Sequence, residues 1–127
     1  MRDDSQRWEP PAERFDFVVP GVRALEVDLP ESWMISGPGV LEQFAAHYVS
    51  WPDVVDVPAY AVALRRDRIL WIGPWDHGGG YDPSRQLAVS DVSDAFAVID
   101  LSGPHALDLL RHGTELRLDK PSRSVSR

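Results

Sequence analysis

The stretch Phe96-Ala97-Val98-Ile99-Asp100-Leu101-Ser102-Gly103-Pro104-His105-Ala106-Leu107-Asp108-Leu109-Leu110-Arg111-His112-Gly113 decides the fold. Phe96 to Leu101 reads as a strand and Ser102-Gly103-Pro104 as a turn. A short helix follows, with Ala106, Leu107 and Leu110 on one face, and Gly113 is a natural helix stop. The same order occurs sixty-six positions earlier, where Ser32 to Tyr48 runs strand, Ser36-Gly37-Pro38, helix. Two copies of one unit in 127 residues make duplication the organising feature.

Around the earlier copy, Trp33, Met34 and Ile35 form a short strand. Ser36 is a candidate N-cap beside Pro38, which suits a first helical turn. Leu41, Phe44, Ala45 and Tyr48 recur at i, i+3, i+4 and i+7, the stripe of an amphipathic helix. Val49 to Pro58 holds two prolines and reads as a loop. Tyr60 to Leu64 and Ile69 to Ile72 are apolar runs joined by Arg65-Arg66-Asp67-Arg68, a polar four-residue hairpin tip. The unit is therefore strand, helix, hairpin, closed by Gly73-Pro74. Trp75 to Arg85 reads as a long flexible loop, and Leu87-Ala88-Val89 opens the second unit.

On the N-terminal side, Val22 to Leu29 alternates apolar and polar residues as a half-buried strand, closed by Pro30. Residues 1–20 read as a loose arm with a Pro10-Pro11 pair. Phe15, Phe17, Val18 and Val19 are positioned to dock its end. At the other end, Leu116 and Leu118 alternate with Glu115 and Arg117 like one more short strand, and Asp119 to Arg127 is mostly polar. A full second copy still owes a hairpin there. The expectation is an abbreviated protein, a fragment, or a sheet completed by another subunit, since an open sheet edge tends to pair. The fold class is α+β: two strand–helix–hairpin units, the second incomplete, with helices on one side of a mainly antiparallel sheet. Residues 21–127 form one domain, the first unit at about 22–74 and the second at about 87–127.

Composition narrows the function classes. Apolar residues make up 43% and charged residues 26%, the balance of a chain that buries a core. A net charge of -7 repels phosphate backbones and argues against nucleic acid as a partner. Without cysteine there is no disulfide framework, thiolate metal site or cysteine nucleophile. The charged N-terminus does not read as a signal peptide, and no apolar run approaches the ~20 residues of a membrane span. A cytoplasmic protein is expected.

Leu87-Ala88-Val89-Ser90-Asp91-Val92-Ser93-Asp94, followed by Phe96 to Pro104 and the leucine-bearing helix, resembles the gamma subunit of heterotetrameric sarcosine oxidases. More distantly it is similar to the folate-binding domain of glycine-cleavage aminomethyltransferases. Ile69-Leu70-Trp71-Ile72-Gly73-Pro74 resembles the gamma family's hairpin end. Asp108-Leu109-Leu110-Arg111-His112-Gly113 with Leu116, Leu118 and Asp119 resembles its helix exit. The resemblance spans about Trp33 to Asp119. It implies a non-catalytic small subunit that braces larger flavoprotein subunits, with flavin and tetrahydrofolate held by those partners and none in this chain. Two departures qualify it: the gamma family continues after the helix exit with further strands, and His77-Gly78-Gly79-Gly80-Tyr81 interrupts where that family returns to an apolar strand. The aminomethyltransferases carry a catalytic aspartate in a later glycine-rich hairpin that has no counterpart here, so none is carried over. Asp91 matches only the motif aspartate ahead of the strand. The alternatives are a stand-alone folate-binding aminomethyltransferase-like protein and a small binding protein related to neither.

Candidate reactive residues each have a simpler structural reading. His47, His77, His105 and His112 are scattered, whereas zinc wants three or four ligands at consistent spacing. Trp75-Asp76-His77-Gly78-Gly79-Gly80 is glycine-rich enough to present N–H groups to an anion, yet it lacks the lysine and the strand-to-helix context of a phosphate loop. Ser36 and Ser102 lack a glycine two positions earlier, so they read as caps rather than nucleophiles. Asp91 and Asp94 flank Ser93 in a turn pattern. Trp33 and Trp71 read as core. Trp51 and Trp75, in loops, are interface candidates.

Overall fold

The computed structural model describes residues 14–28, 30–50, 53–115 and 117–118. Among these residues are eight strands: β1 (Asp16–Val19), β2 (Val22–Val27), β3 (Ser32–Ser36), β4 (Tyr60–Arg65), β5 (Arg68–Ile72), β6 (Gly80–Asp82), β7 (Leu87–Asp91) and β8 (Val98–Ser102). Two α-helices, α1 (Val40–Gln43) and α2 (Ala106–Gly113), each follow a Ser-Gly-Pro turn. The fold is α+β, and every pair of strands is antiparallel.

The strands divide between two sheets, ordered β1-β2-β8 and β4-β5-β3-β7-β6. Each sheet mixes the two units. β3 of the first unit pairs with β7 of the second, Ser36 opposite Ala88. β8 of the second unit pairs with β2 of the first, Ser102 opposite Arg23. The first unit thus lends its leading hairpin, β1–β2, to β8 of the second, and the second lends β6–β7 to β3 of the first. The duplication extends to single hydrogen bonds. Val40 N–H donates to Gly37 O and Gln43 N–H to Gly39 O, while Ala106 N–H donates to Gly103 O and Leu109 N–H to His105 O.

The glycine of each Ser-Gly-Pro turn is required by close approach of the other unit's hairpin turn. A Cβ on Gly37 would lie 2.2 Å from the Gln86 carbonyl oxygen, and one on Gly103 would lie 2.4 Å from the Gly21 carbonyl oxygen. Backbone cannot yield as a flexible side chain can, so the two turns interlock only through glycine.

The main core belongs to the five-stranded sheet. Ile35 is fully buried between Ile69 and Val89 on the neighbouring strands. Val40 and Phe44 seat α1 over this layer, with Ala61, Trp71 and Leu87. The expected stripe Leu41–Phe44–Ala45–Tyr48 is corrected. α1 is a single turn, Ala45–His47 is a 3-10 turn, and Ala45 is exposed. Phe44 leaves helical geometry (φ -113°, ψ 15°), and its ring packs against Trp71 and Trp75.

Other expectations are also corrected. Residues 16–19 are a strand, not loose arm, because Phe17 opposes Ala24 and Val19 opposes Val22 around a two-residue Pro20-Gly21 turn. The β4–β5 tip is the two residues Arg66-Asp67, with Arg65 opposite Arg68. Within the expected Trp75–Arg85 loop, β6 pairs with β7. Neither Ser36 nor Ser102 caps a helix: the N-cap positions are Gly39 and His105, without side-chain caps. Arg117 and Leu118 lie outside any strand. Leu29, Trp51, Leu116, Asp119 and the rest of the expected N-terminal arm, residues 1–13, lie outside the described residues. Among the described residues no helix is long and apolar enough to cross a membrane.

Candidate functional site

The glycine-rich segment 75–80 closes over β6–β7 and frames a cleft of about 310 Å³, lined in part by Trp75, His77, Tyr81, Asp82 and Arg85. The loop is tied down. Trp75 Nε1–H donates to the Gly78 carbonyl at 2.9 Å. The Trp75 ring lies between those of Trp71 and His77, at 5.7 and 4.9 Å. Arg85 lies over the Phe44 face, 5.2 Å from its centroid, and its Nε–H donates to Gln43 Oε1. Trp75, an interface candidate in the sequence, is therefore spent packing against the core. Trp33 also packs there, and Trp71 is buried within it.

The charged groups of this cleft are engaged locally. Asp82 Oδ1 accepts from Ser84 Oγ and from the Ser84 and Arg85 amides, and the Ser84 hydroxyl foremost holds its carboxyl below the ordinary range. His77 stands 3.3 Å from Asp76.

Asp91 takes the structural role open to it. Its Oδ1 accepts from Ser93 N–H and Ser93 Oγ, and the hydroxyl bond is the main cause of its lowered pKa. Ser93 Oγ in turn accepts from the N–H of fully buried Ser32 at 3.1 Å. This turn therefore ties the end of β7 to the start of β3. Asp94 is exposed beside it. The histidines do not converge. His47 packs edge-on against Trp71, His105 is 3.5 Å from Asp108, and His112 Nδ1 is 2.7 Å from the Asp108 carbonyl. Among the described residues no group of three or more histidine, aspartate or glutamate side chains is placed to hold a metal ion.

A second cleft, of about 400 Å³, lies beside Tyr48, Val49, Val54 and Val57. The Tyr48 hydroxyl is buried without a hydrogen-bond partner among the described residues, and burial, then Glu42, pushes its pKa up to about 12. A phenol so hard to ionise is a poor base at neutral pH.

The surface that distinguishes the molecule is formed by β8 and α2. In the first unit, hairpin β4–β5 pairs with the outer edge of β3, and α1 packs against β5. In the second unit, no strand among the described residues pairs with the corresponding edge of β8. The consequence appears position by position. Ile35, Val40 and Phe44 are buried, whereas their counterparts Leu101, Ala106 and Leu110 are only half-buried. No residue of α2 is buried. Phe96, Ile99, Leu107 and Leu109 are 44–47% exposed, beside a strand edge that no described strand pairs with. On the far side of the same sheet Phe15 and Phe17 stack with ring centroids 6.3 Å apart, each nearly half exposed.

Two polar groups repeat the pattern. Ser36 Oγ accepts from Arg68 Nε–H at 3.1 Å, and Gly37 N–H donates to the Asp67 carbonyl at 2.9 Å. Ser102 and Gly103 present the same hydroxyl and N–H. Neither group finds such a partner among the described residues. Sequence reasoning singled out Ser102 as a cap and missed this role. Overlaying Ser36 on Ser102 was the available signal, because it aligns buried Phe44 with half-buried Leu110. Comparison of the chain with known families, curated proteins and solved structures returns no match.

Proposed function

We propose that this chain is a small, non-catalytic accessory subunit of a heteromeric flavoenzyme of the sarcosine-oxidase type. It would serve N-methyl amine and one-carbon metabolism in the cytoplasm, with flavin and tetrahydrofolate held by larger partner chains. One observation carries the reading: the second unit presents a strand edge that no strand among the described residues pairs with, beside a half-exposed apolar helix. Exposed apolar patches next to open edges mark surfaces that pair with other chains. Support for the enzyme class comes from the resemblance of Leu87 to Pro104 and the following helix to the gamma subunits. Support for a bracing role comes from the cleft framed by segment 75–80, where Asp82, Arg85 and His77 are each engaged by a neighbour.

The test is purification of the tagged chain from its native cells. The expected result is a fixed-stoichiometry complex with a larger flavin-bearing chain and oxidase activity that depends on sarcosine or a related N-methyl amine. A lone chain that binds tetrahydrofolate saturably at micromolar concentration, with no flavoprotein attached, would overturn this reading in favour of the stand-alone folate-binding aminomethyltransferase-like protein.

A further inference from the structure

The first unit shows what its strand–turn–helix element requires on its open side. β5 lies against β3 with Arg68 opposite Ser36, Ile69 opposite Ile35 and Trp71 opposite Trp33. Its apolar residues form the floor beneath Val40 and Phe44. Its arginine satisfies the Ser36 hydroxyl, and the hairpin tip satisfies Gly37 N–H. The second unit repeats the element with the same register toward its inner neighbour and presents the same hydroxyl and N–H outward.

One substitution changes the chemistry of the site. The position equivalent to Met34 is Asp100, two residues before Ser102 and so on the same face of β8. Its carboxylate is exposed and has no ion-pair partner among the described residues. Cross-strand neighbours interact directly at i, j and diagonally at i, j±2. An arginine opposite Ser102 therefore also comes within reach of Asp100, giving a charge-assisted contact the first unit lacks. The same carboxylate disfavours a second copy of this chain as occupant. Asp100 is the middle residue of β8, and a two-fold pairing centred on the strand sets like charges face to face.

We infer that the outer edge of β8, unpaired among the described residues, receives an antiparallel β-hairpin from a partner chain. The hairpin is apolar on the side that floors α2 and carries an arginine opposite Ser102 and diagonal to Asp100. The source of the hairpin rests on the accessory-subunit reading; the chemistry of the edge rests on the duplicated geometry.

The probe is a labelled synthetic peptide with the sequence of residues 59–74, the hairpin that fills this place in the first unit, titrated into the full chain. Saturable binding is expected, weakened at least tenfold by Asp100→Lys in the protein or by Arg68→Glu in the peptide. Combining the two changes is expected to restore at least part of the loss, which damage to the fold would not do. Asp100 is exposed on an outer strand, so its substitution spares the core. Absence of saturable binding, or binding indifferent to Asp100→Lys, overturns the inference. So does a lone chain, monomeric or dimeric, whose amides at 98–103 are already slow in hydrogen exchange, because its edge is then occupied by itself or by a copy. Failure to recover a flavoprotein complex from cells counts against the functional reading alone and leaves the peptide result standing.

Discussion

Truncating Ile35 and Leu101 to alanine, one at a time, compares two chemically similar side chains at equivalent positions of the duplicated unit. Ile35 is fully buried, flanked by Ile69 on one side and Val89 on the other. Val40 of α1 joins the same core layer. Removing its side chain leaves a closed cavity, for which large-to-small substitutions cost ~2–5 kcal/mol. Leu101 faces Ala24 on one side and, among the described residues, no strand on the other. Water and neighbouring side chains can relax into that space, and about 1 kcal/mol is expected from the area lost. A chain of 127 residues has a total stability of roughly 6–19 kcal/mol, so the first change is a large fraction and the second is small. Urea unfolding followed by tryptophan fluorescence reads the difference. With a slope of ~1–3 kcal/mol/M, a gap of about 2 kcal/mol separates the midpoints by roughly 1 M. Equal costs, within about 0.5 kcal/mol, would refute the claim that the second unit's core lies open.

Further expectations follow from other contacts. Gly37→Ala and Gly103→Ala should destabilise alike, by ~1–3 kcal/mol or more, because each drives a Cβ into backbone of the opposite unit; a neutral effect at either in the same urea assay contradicts the interlocked turns. Ser93→Ala removes the acceptor of the buried Ser32 N–H and should cost about 1–3 kcal/mol in thermal or urea unfolding. Asp82 and Asp91 have lowered folded pKa values, chiefly from Ser84 and Ser93 respectively. Their contribution is present above the unfolded carboxylate pKa of ~3.9 and is lost as pH falls through the folded values; Asp91→Asn should flatten the acid limb of a stability–pH curve, and an unchanged limb would count against it. Tyr48 should titrate spectroscopically at about 12. Because desolvation raises its folded pKa, the Tyr48 phenol leaves stability independent of pH below the unfolded value of ~10 and lowers it as pH rises from there through about 12. Tyr48→Phe should preserve or raise stability at neutral pH, since the hydroxyl is buried without a partner among the described residues.

The Ser-Gly-Pro repeat, the α+β class and the β4–β5 hairpin were legible because each is written in local spacing. The allocation of strands to two sheets was not. Period-two alternation in Val22 to Val27 states that one face is buried, but not that the neighbour is β8. β6 was hidden for a related reason: Gly80 lacks a side chain to signal a face, and pairing with Val89 alone makes it a strand. The α1 stripe was overread because Phe44 exchanges helical geometry for aromatic packing against Trp71 and Trp75. The structural role of Asp91 was readable from its spacing to Ser93. The bond from Ser93 back to Ser32 was not, because sixty-one positions separate them. The β8–α2 surface was legible only as an imbalance between copies; the hydroxyl and amide that define it emerge from the register.

The exchange of hairpins between units has a consequence for how the molecule is made. β2 has β1 beside it from the start, but the strand on its other side, β8, arrives with Ser102 opposite Arg23. During synthesis the three-stranded sheet must wait until most of the chain has emerged, whereas β4 and β5 meet as soon as they are made. Contacts of such long sequence separation carry the largest closure entropy and form slowly. Neither half is expected to survive as an isolated domain, since cutting the chain between Gly73 and Gly80 would strip each central strand of a neighbour. The duplication is therefore expected to give one cooperative body, and β8 is the last of the described strands to join it.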